Sequence, residues 1–345
     1  MVNYKKTLVN GGKKMRSKIL NILRERAPEP VSGEELAGCL GVSRTAIWKN
    51  IQALKEEGYK ITAFTKKGYV LEDIPDKLLP VEIARKLKTK WLGHELHYVD
   101  STGSTNAMCK NYANSGCADG TVCVAEEQTG GRGRLSRGWF SPAGKGLWFS
   151  LVLEPPFLPE EAPKCTLMAA VAVVKAVNSY KGVKAAIKWP NDILLDGKKL
   201  VGILTEMSAE FGHINYVIIG TGINVCVPRD MVPPELRESA ISLADKAEEP
   251  INRVELLAKV LDNLEELYEI VLKQGFKPIL AMWRTYSTTI GKMVKVIAPD
   301  STYIGKALDI NEEGILLVQK ADGTIAEVLA GDVSIRAAHG KGSKY

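Results

Sequence analysis

Four stretches of the chain hold residue types that manage anions and polar ligands. In the first, residues 125–154, the cations Arg132, Arg134, Arg137 and Lys145 stand among Gly130, Gly131, Gly133, Gly138, Gly144 and Gly146. Glycine lets backbone N–H groups approach an anion closely, and a guanidinium grips phosphate or carboxylate with a fork of donors. The spacing matches neither GxxxxGK[ST] nor the dinucleotide GxGxxG. It implies a nucleotide site of another design, with a flexible basic surface loop as the plain alternative. In the second stretch, Lys188 sits between Ile187 and Trp189 at the end of an apolar strand that Pro190 breaks, and Asn191 and Asp192 follow. A half-buried ammonium there needs an anion, unless the side chain snorkels out from the strand end. In the third, Ser104, Thr105 and Asn106 precede a helix and offer hydroxyl, amide and helix N-terminal N–H groups; alone they are also an ordinary cap. The fourth, Gly220 to Val225, reads as a glycine-rich turn after a buried strand, with Asn224 free to meet a ligand.

These residues need a scaffold, and the pattern from residue 80 to 287 predicts a mixed α/β domain with an antiparallel-rich sheet. Apolar runs predict strands at 95–99, 121–125, 147–153, 185–189, 193–195, 200–206 and 216–220. Asp196-Gly197 is a hairpin signal. Helices are predicted at 105–114, 161–180, 253–273 and 278–286. The first stretch is then a loop over a sheet. Residues 288–338 contain short apolar runs separated by turns at Pro299-Asp300, Glu313-Gly314 and Asp322-Gly323, which predicts a small β-barrel.

The N-terminal part reads differently. Residues 1–75 carry 14 Lys and Arg against 8 Asp and Glu, which accounts for the whole net charge of +6 and points to a polyanion partner. Residues 1–14 lack an apolar period and are expected to be disordered. Gly11-Gly12-Lys13-Lys14 reads as a translated purine-rich stretch, with Met15 as the expected natural start; native protein beginning at Met1 would exclude this. From 15 to 74 the sequence predicts a winged helix-turn-helix. Ser32 caps a short helix with Glu35 as its capping-box partner, Gly41 turns the chain, and Ser43 caps a second helix. Ile47, Ile51 and Leu54 form that helix's buried face, leaving Arg44, Thr45, Lys49 and Asn50 to read DNA. A hairpin around Lys66 and Lys67 is the wing that holds phosphate. Ile74 to Pro80 is the linker.

Composition excludes several classes. The six cysteines form no CxxC pair and the four histidines no HExxH, so neither a disulfide scaffold nor a dedicated protein metal site is expected. No run approaches the roughly 20 apolar residues of a membrane span. Met1 to Arg16 has no apolar core of a secretory signal. A reducing cytoplasm is the expected location.

In their order, GSTN, EEQTGGRGRLSRGWFSP, KWPNDI, KLVGIL and GTGINV resemble the biotin–protein ligase family over residues 80–337. With the winged helix, the chain is similar to bacterial members that combine biotin ligase with biotin-operon repressor. The resemblance implies two steps: biotin and ATP, with Mg²⁺, give biotinyl-5′-adenylate, and a lysine of the biotin carboxyl carrier protein of acetyl-CoA carboxylase then takes the biotin. It implies Lys188 and Arg132 as catalytic cations. Ser104, Thr105, Asn106, Gln128, Arg132, Gly133, Arg134 and Lys188 would bind biotin or the adenylate, and Gly131, Trp139, Asn191, Asp192 and Asn224 the nucleotide. It further implies an SH3-like C-terminal domain, operator DNA as a partner, and a ligand-promoted homodimer. Many relatives read GRGRRGR where this chain has Leu135 and Ser136, and Ser101-Thr102 is a second possible match to the ST step. Two other readings stay open: a regulator whose ligase-like domain only senses ligand, and a lipoate or octanoate transferase of related fold.

Overall fold

The computed structural model describes residues 3–298, 301–329 and 332–335. The chain divides into two units after Asp76, within the Ile74–Pro80 stretch.

The first unit contains α1 (Asn3–Arg26), α2 (Gly33–Leu40), α3 (Arg44–Glu56) and the antiparallel hairpin β1 (Lys60–Phe64) and β2 (Gly68–Asp73). Its caps are local: Ser32 Oγ accepts from the Glu35 N–H at 3.0 Å and Ser43 Oγ from the Ala46 N–H at 3.2 Å. Gly41 closes α2 in the left-handed region at φ 65, where a Cβ would be strained. The capping box at Ser32 forms by half, because the Glu35 carboxylate accepts from Arg26 Nη2 at 3.2 Å instead. Ile19, Leu20, Leu23, Leu36, Ile47, Ile51 and Leu54 are buried together in this unit's interior. α1 begins at Asn3, inside the stretch 1–14 where disorder was predicted. Each glycine inside a helix costs only about 1 kcal/mol, which does not by itself end one.

The second unit is built on a seven-stranded sheet, order β3-β4-β5-β9-β8-β7-β6. The strands are β3 (Leu96–Thr102), β4 (Val122–Gln128), β5 (Gly146–Leu153), β6 (Ala186–Lys188), β7 (Asp192–Leu195), β8 (Lys198–Glu210) and β9 (His213–Asn224). Only β3 and β4 run parallel; the other pairs are antiparallel. Four helices accompany it: α5 (Thr105–Asn114), α6 (Lys164–Val177), α7 (Arg253–Gln274) and α8 (Lys277–Tyr286). α6 carries apolar residues nearly all round because it is packed between the sheet and helices α7 and α8. α5 packs on β4, β5 and β9. A short α4 (Pro80–Lys86) was not anticipated.

A buried ion pair ties this unit together. Arg253 Nη1 donates to Glu126 Oε2 at 2.8 Å and to the Gly146 carbonyl at 3.2 Å. The other Glu126 oxygen accepts from the Leu78 N–H at 2.7 Å. Both charges thus have partners, as burial requires.

The C-terminal strands β10 (Met293–Ala298), β11 (Ser301–Ile310), β12 (Leu316–Lys320), β13 (Ile325–Val328) and β14 (Asp332–Ile335) form an antiparallel sheet, order β13-β12-β11-β10-β14. Among the described residues β13 and β14 remain its two edges, so the expected barrel is here an open sheet. The predicted Pro299-Asp300 turn lies outside the described residues, and β14 escaped prediction. Its β11–β12 turn is fastened to the end of β6 and to α6. Trp189 Nε1 donates to the Gly314 carbonyl at 3.1 Å, and Lys164 Nζ to the Glu312 carbonyl at 3.3 Å. Among the described residues no helix is long and apolar enough to cross a membrane.

Candidate active site

One face of the second unit's sheet carries a cavity of about 1170 Å³, within the range of small-molecule sites. Its floor is bare backbone. Gly202 on β8 and Gly222 on β9 are register partners, and a Cβ on either would run into the Trp139 indole. Gly220 likewise leaves room for the Asn106 amide. The glycine-rich sequence at 220–224 is therefore strand β9 and not the predicted turn; its glycines clear space above the sheet.

The roof is the segment after β4. It folds back on itself: Arg132 and Gly138 form a bridge, as do Gln128 and Ser141, and the Trp139 N–H donates to the Gly131 carbonyl at 2.9 Å. Gly131 is required here, since a Cβ would lie 2.6 Å from the Trp139 carbonyl oxygen. Arg132, Gly133 and Arg134 line the cavity. At the tip, Leu135 adopts φ 55 and is 68% exposed, a conformation that costs a non-glycine residue roughly 1 kcal/mol.

One end of the cavity is lined by neutral polar groups, backed by one exposed carboxylate outside the wall, Glu206. Gln128 Oε1 accepts from both the N–H and the hydroxyl of Thr105, at 2.9 and 3.0 Å. Gln128 Nε2 donates to Ser141 Oγ at 3.1 Å. Ser150 Oγ lies 2.7 Å from Thr105 Oγ1 and donates to Asn106 Oδ1 at 2.6 Å, while Asn106 Nδ2 donates to Glu206 Oε2 at 2.6 Å. Ser104 occupies the cap position of α5 without a capping bond from its side chain. The ordinary-cap alternative therefore does not account for its hydroxyl, which lines the cavity.

The other end is charged. Lys199 Nζ lies 2.7 Å from Asp192 Oδ1 and 5.2 Å from the centroid of the Trp139 ring. Lys188 Nζ lies 3.8 Å from Asp192 Oδ2, with its side chain 23% exposed. Lys188 is thus half-buried as expected, yet it is not on the cavity wall. It stands one strand behind, on β6, paired in register with Asp192 on β7. Asn191 Nδ2 donates to the Ile203 carbonyl at 2.8 Å, and Asn191 Oδ1 accepts from Arg134 Nη1 at 3.3 Å. Asn224 Nδ2 donates to the Ile241 carbonyl at 3.3 Å. Farther along the wall, Asp196 holds Lys246 by a hydrogen bond and by charge, raising that ammonium's pKa above the ordinary lysine value. Between the two ends, the Trp139 indole N–H is buried and has no hydrogen-bond partner among the described residues, a group that ligand binding could satisfy.

Three family models match the chain: the biotin/lipoate A/B protein ligase family over residues 98–224, a helix-turn-helix domain over 16–70, and the biotin protein ligase C-terminal domain over 289–336. The bifunctional ligase/repressor BirA of Bacillus subtilis is 41% identical over 321 residues, covering 93% of this chain and 98% of that one. The chain belongs to the bifunctional biotin ligase and repressor family. The Escherichia coli ligase/repressor BirA is 31% identical over 307 residues, covering 89% of this chain and 93% of that one. The biotin protein ligase of Aquifex aeolicus, solved with biotin and ATP, superposes with a TM-score of 0.61 at 29% identity, covering 71% of this chain and all (100%) of that one.

Within this family member the residues expected for biotin or nucleotide converge on one cavity, Lys188 excepted. Sequence reasoning missed Lys199, Ser141, Ser150 and Glu206. Lys199 stood in the KLVGIL motif and carried a signal; the others are tied in by partners distant in the chain. In the first unit, Arg44, Thr45 and Lys49 are exposed on α3, and Lys66 and Lys67 at the hairpin turn. Asn50 is half-buried, with its amide donating to the Ala46 carbonyl at 2.8 Å, so it is less available than expected. Trp48, 53% exposed beside them, was not anticipated.

Proposed function

We propose that the cavity binds biotin at its neutral end and ATP at its charged end, so that the vitamin's carboxylate meets the α-phosphate beside Trp139. The chain is a biotin–protein ligase and a helix-turn-helix repressor by family. The observation that carries the site assignment is this polarity: uncharged donors and acceptors around Thr105 and Gln128 at one end, and Lys199, Asp192 and Lys188 at the other. A cyclic urea matches the first and a polyphosphate the second. Ser104, Thr105, Asn106 and Gln128 hold the vitamin's head, and Trp139 covers its chain. Gly131, Asn191, Asp192 and Asn224 orient the nucleotide.

In the first step a carboxylate oxygen attacks the α-phosphorus and pyrophosphate leaves with the bonding electron pair. In the second, the acceptor amine attacks the acyl carbon, AMP leaves, and the amide nitrogen sheds its extra proton. No protein nucleophile is required; the residues bring two anions together and offset the charge that builds up. Arg132 and Lys188 are the cations for that task, with Lys188 reaching the site from behind Asp192. Mg²⁺ supplies neutralisation of the triphosphate. Asp192 would offer that ion one carboxylate at the charged end, which suits an ion that keeps most of its shell as water and phosphate oxygen. The roof segment excludes water from the anhydride.

The acceptor is the carrier protein of acetyl-CoA carboxylase, and the C-terminal sheet, an SH3-like module by resemblance, braces the site through Gly314. The reaction belongs in the cytoplasm, in keeping with six free cysteines. Adenylate that orders the roof also promotes a homodimer. Two wings then engage operator DNA through Arg44, Thr45, Lys49 and Asn50 on α3 and Lys66 and Lys67 at the hairpin. Incubation with biotin, Mg-ATP and carrier protein tests the ligase. One biotin added per carrier by mass, with pyrophosphate released, is expected. Activity with lipoate or octanoate alone would move the chain to the transferases, and adenylate-independent DNA binding without any transfer would make it a pure sensor.

A further inference from the structure

Resting on the ligase reading above, we infer that a second groove in the same unit is the entrance through which the acceptor's lysine side chain reaches the acyl adenylate. A roof that keeps water from the anhydride also bars the acceptor from that side, so the amine needs another way in. A groove of about 390 Å³ opens on the far side of the KWPND turn. It shares Arg134, Asn191, Ile203 and Leu204 with the main cavity, so these four residues form the partition between the two spaces. At the junction stands the 3.3 Å hydrogen bond from Arg134 to Asn191, the longest contact holding either side chain and the one a moving roof would break.

The groove's walls match one kind of occupant. Leu167, Trp189, Pro190 and Ile315 give it an apolar side, with Arg134, Thr166 and Thr205 also in its lining, and that side suits a four-carbon aliphatic stem. Glu160 and Glu313 also line it. They come from different parts of the chain, and both are exposed. Among the described residues neither carboxylate has an ion pair or a hydrogen-bond partner, whereas neighbouring Glu161 is taken by Lys164 at 2.8 Å. Two free carboxylates beside an apolar slot attract an alkylammonium and repel pyrophosphate or nucleotide, which sets this path apart from a product exit. The slot's width is held by the bonds from Trp189 to Gly314 and from Lys164 to Glu312. At Gly314, with φ 77, a Cβ would lie 2.7 Å from Leu167, so the turn cannot be enlarged without shifting α6.

The acceptor ammonium is drawn in at the carboxylates and gives one proton to solvent there. The free amine then attacks the acyl carbon. The acyl C–O bond breaks with its electron pair on AMP, and the nitrogen's second proton leaves as the amide forms.

The test separates the two half-reactions in the full-length double variant Glu160→Gln/Glu313→Gln. Pyrophosphate release on adenylation should stay within about twofold of the parent. Discharge of the preformed adenylate complex by carrier protein should fall about tenfold or more in kcat/KM at low salt, with the gap narrowing as salt rises. Discharge by hydroxylamine, a small nucleophile that is neutral at pH 7, should be unchanged. The charge-reversed Glu160→Lys/Glu313→Lys should lose more transfer than the neutral pair. Carrier discharge equal to the parent's would overturn the channel. A parallel loss with hydroxylamine would overturn it too, by showing that the carboxylates matter structurally. Absence of adenylate in the parent protein would instead overturn the ligase reading, and the channel with it.

Discussion

The recognition helix and the sheet cavity hold their functional side chains by opposite means. On α3 the proposed DNA-reading groups project from a helix whose cap and buried face are supplied within a few residues: Ser43 caps Ala46, and Ile47, Ile51 and Leu54 anchor the back. In the cavity each polar group is fixed by another far along the chain. Asn106 is held by Ser150, 44 residues away, and by Glu206, 100 residues away. An exposed helical side chain can be removed with the loss of its own contact and little else. A cavity side chain cannot, because its partners are left buried and unsatisfied.

That contrast orders the expected effects. The largest should come from Lys188→Ala. Adenylate formation should drop by about 10²–10³-fold, with only a modest change in biotin affinity, since the ammonium stands behind the cavity wall. Single-turnover pyrophosphate release and calorimetric biotin binding measure the two separately; near-normal adenylation would leave Lys199 as the cation that matters. Next is Arg253→Ala, remote from the chemistry. Stranding Glu126 should cost the second unit about 3–5 kcal/mol, read by urea unfolding followed through the tryptophans of that unit. A shift below about 1 kcal/mol would mean that water replaces the guanidinium. Arg132→Gly should weaken the roof's hold on the intermediate, so that bystander lysines become biotinylated in a mass-spectrometric survey; unchanged retention of the adenylate would remove Arg132 from the roof's task. The smallest effect should come from Lys66→Ala/Lys67→Ala. Operator affinity should fall about equally for all sequences, and the salt slope should shrink by about one per lysine, with biotin transfer untouched. If transfer also fell, the two regions would not be separable in the way their bonding suggests.

Legibility follows the same division. α5 spans Thr105–Asn114, the predicted range, and Ser32, Gly41 and Ser43 perform the local roles their types suggest. Such signals depend on residues three or four positions apart. The strand lengths of β8 and β9 were underestimated, because their outer halves through Glu210 and His213 are polar and owe their strand form to pairing with each other. The motif residues were visible as chemistry, but their distribution was not. That Lys188 would stand behind Asp192 and Lys199 in front depends on the register of β6, β7 and β8. The Glu126–Arg253 pair spans 127 residues, and neither partner carries a local pattern. Disorder was expected over 1–14 because apolar periodicity is absent there, yet helix needs only permissive backbone.

The bare floor beneath Trp139 bears on redesign. With Gly202, Gly220 and Gly222 already the smallest residues available under Trp139 and Asn106, the strands themselves cannot be trimmed to admit a bulkier vitamin analogue. Any enlargement must come from the roof segment or from the Thr105 end. Retuning this enzyme for unnatural labels is therefore a problem in lid engineering, and libraries aimed at the β-strands should return mostly inactive protein.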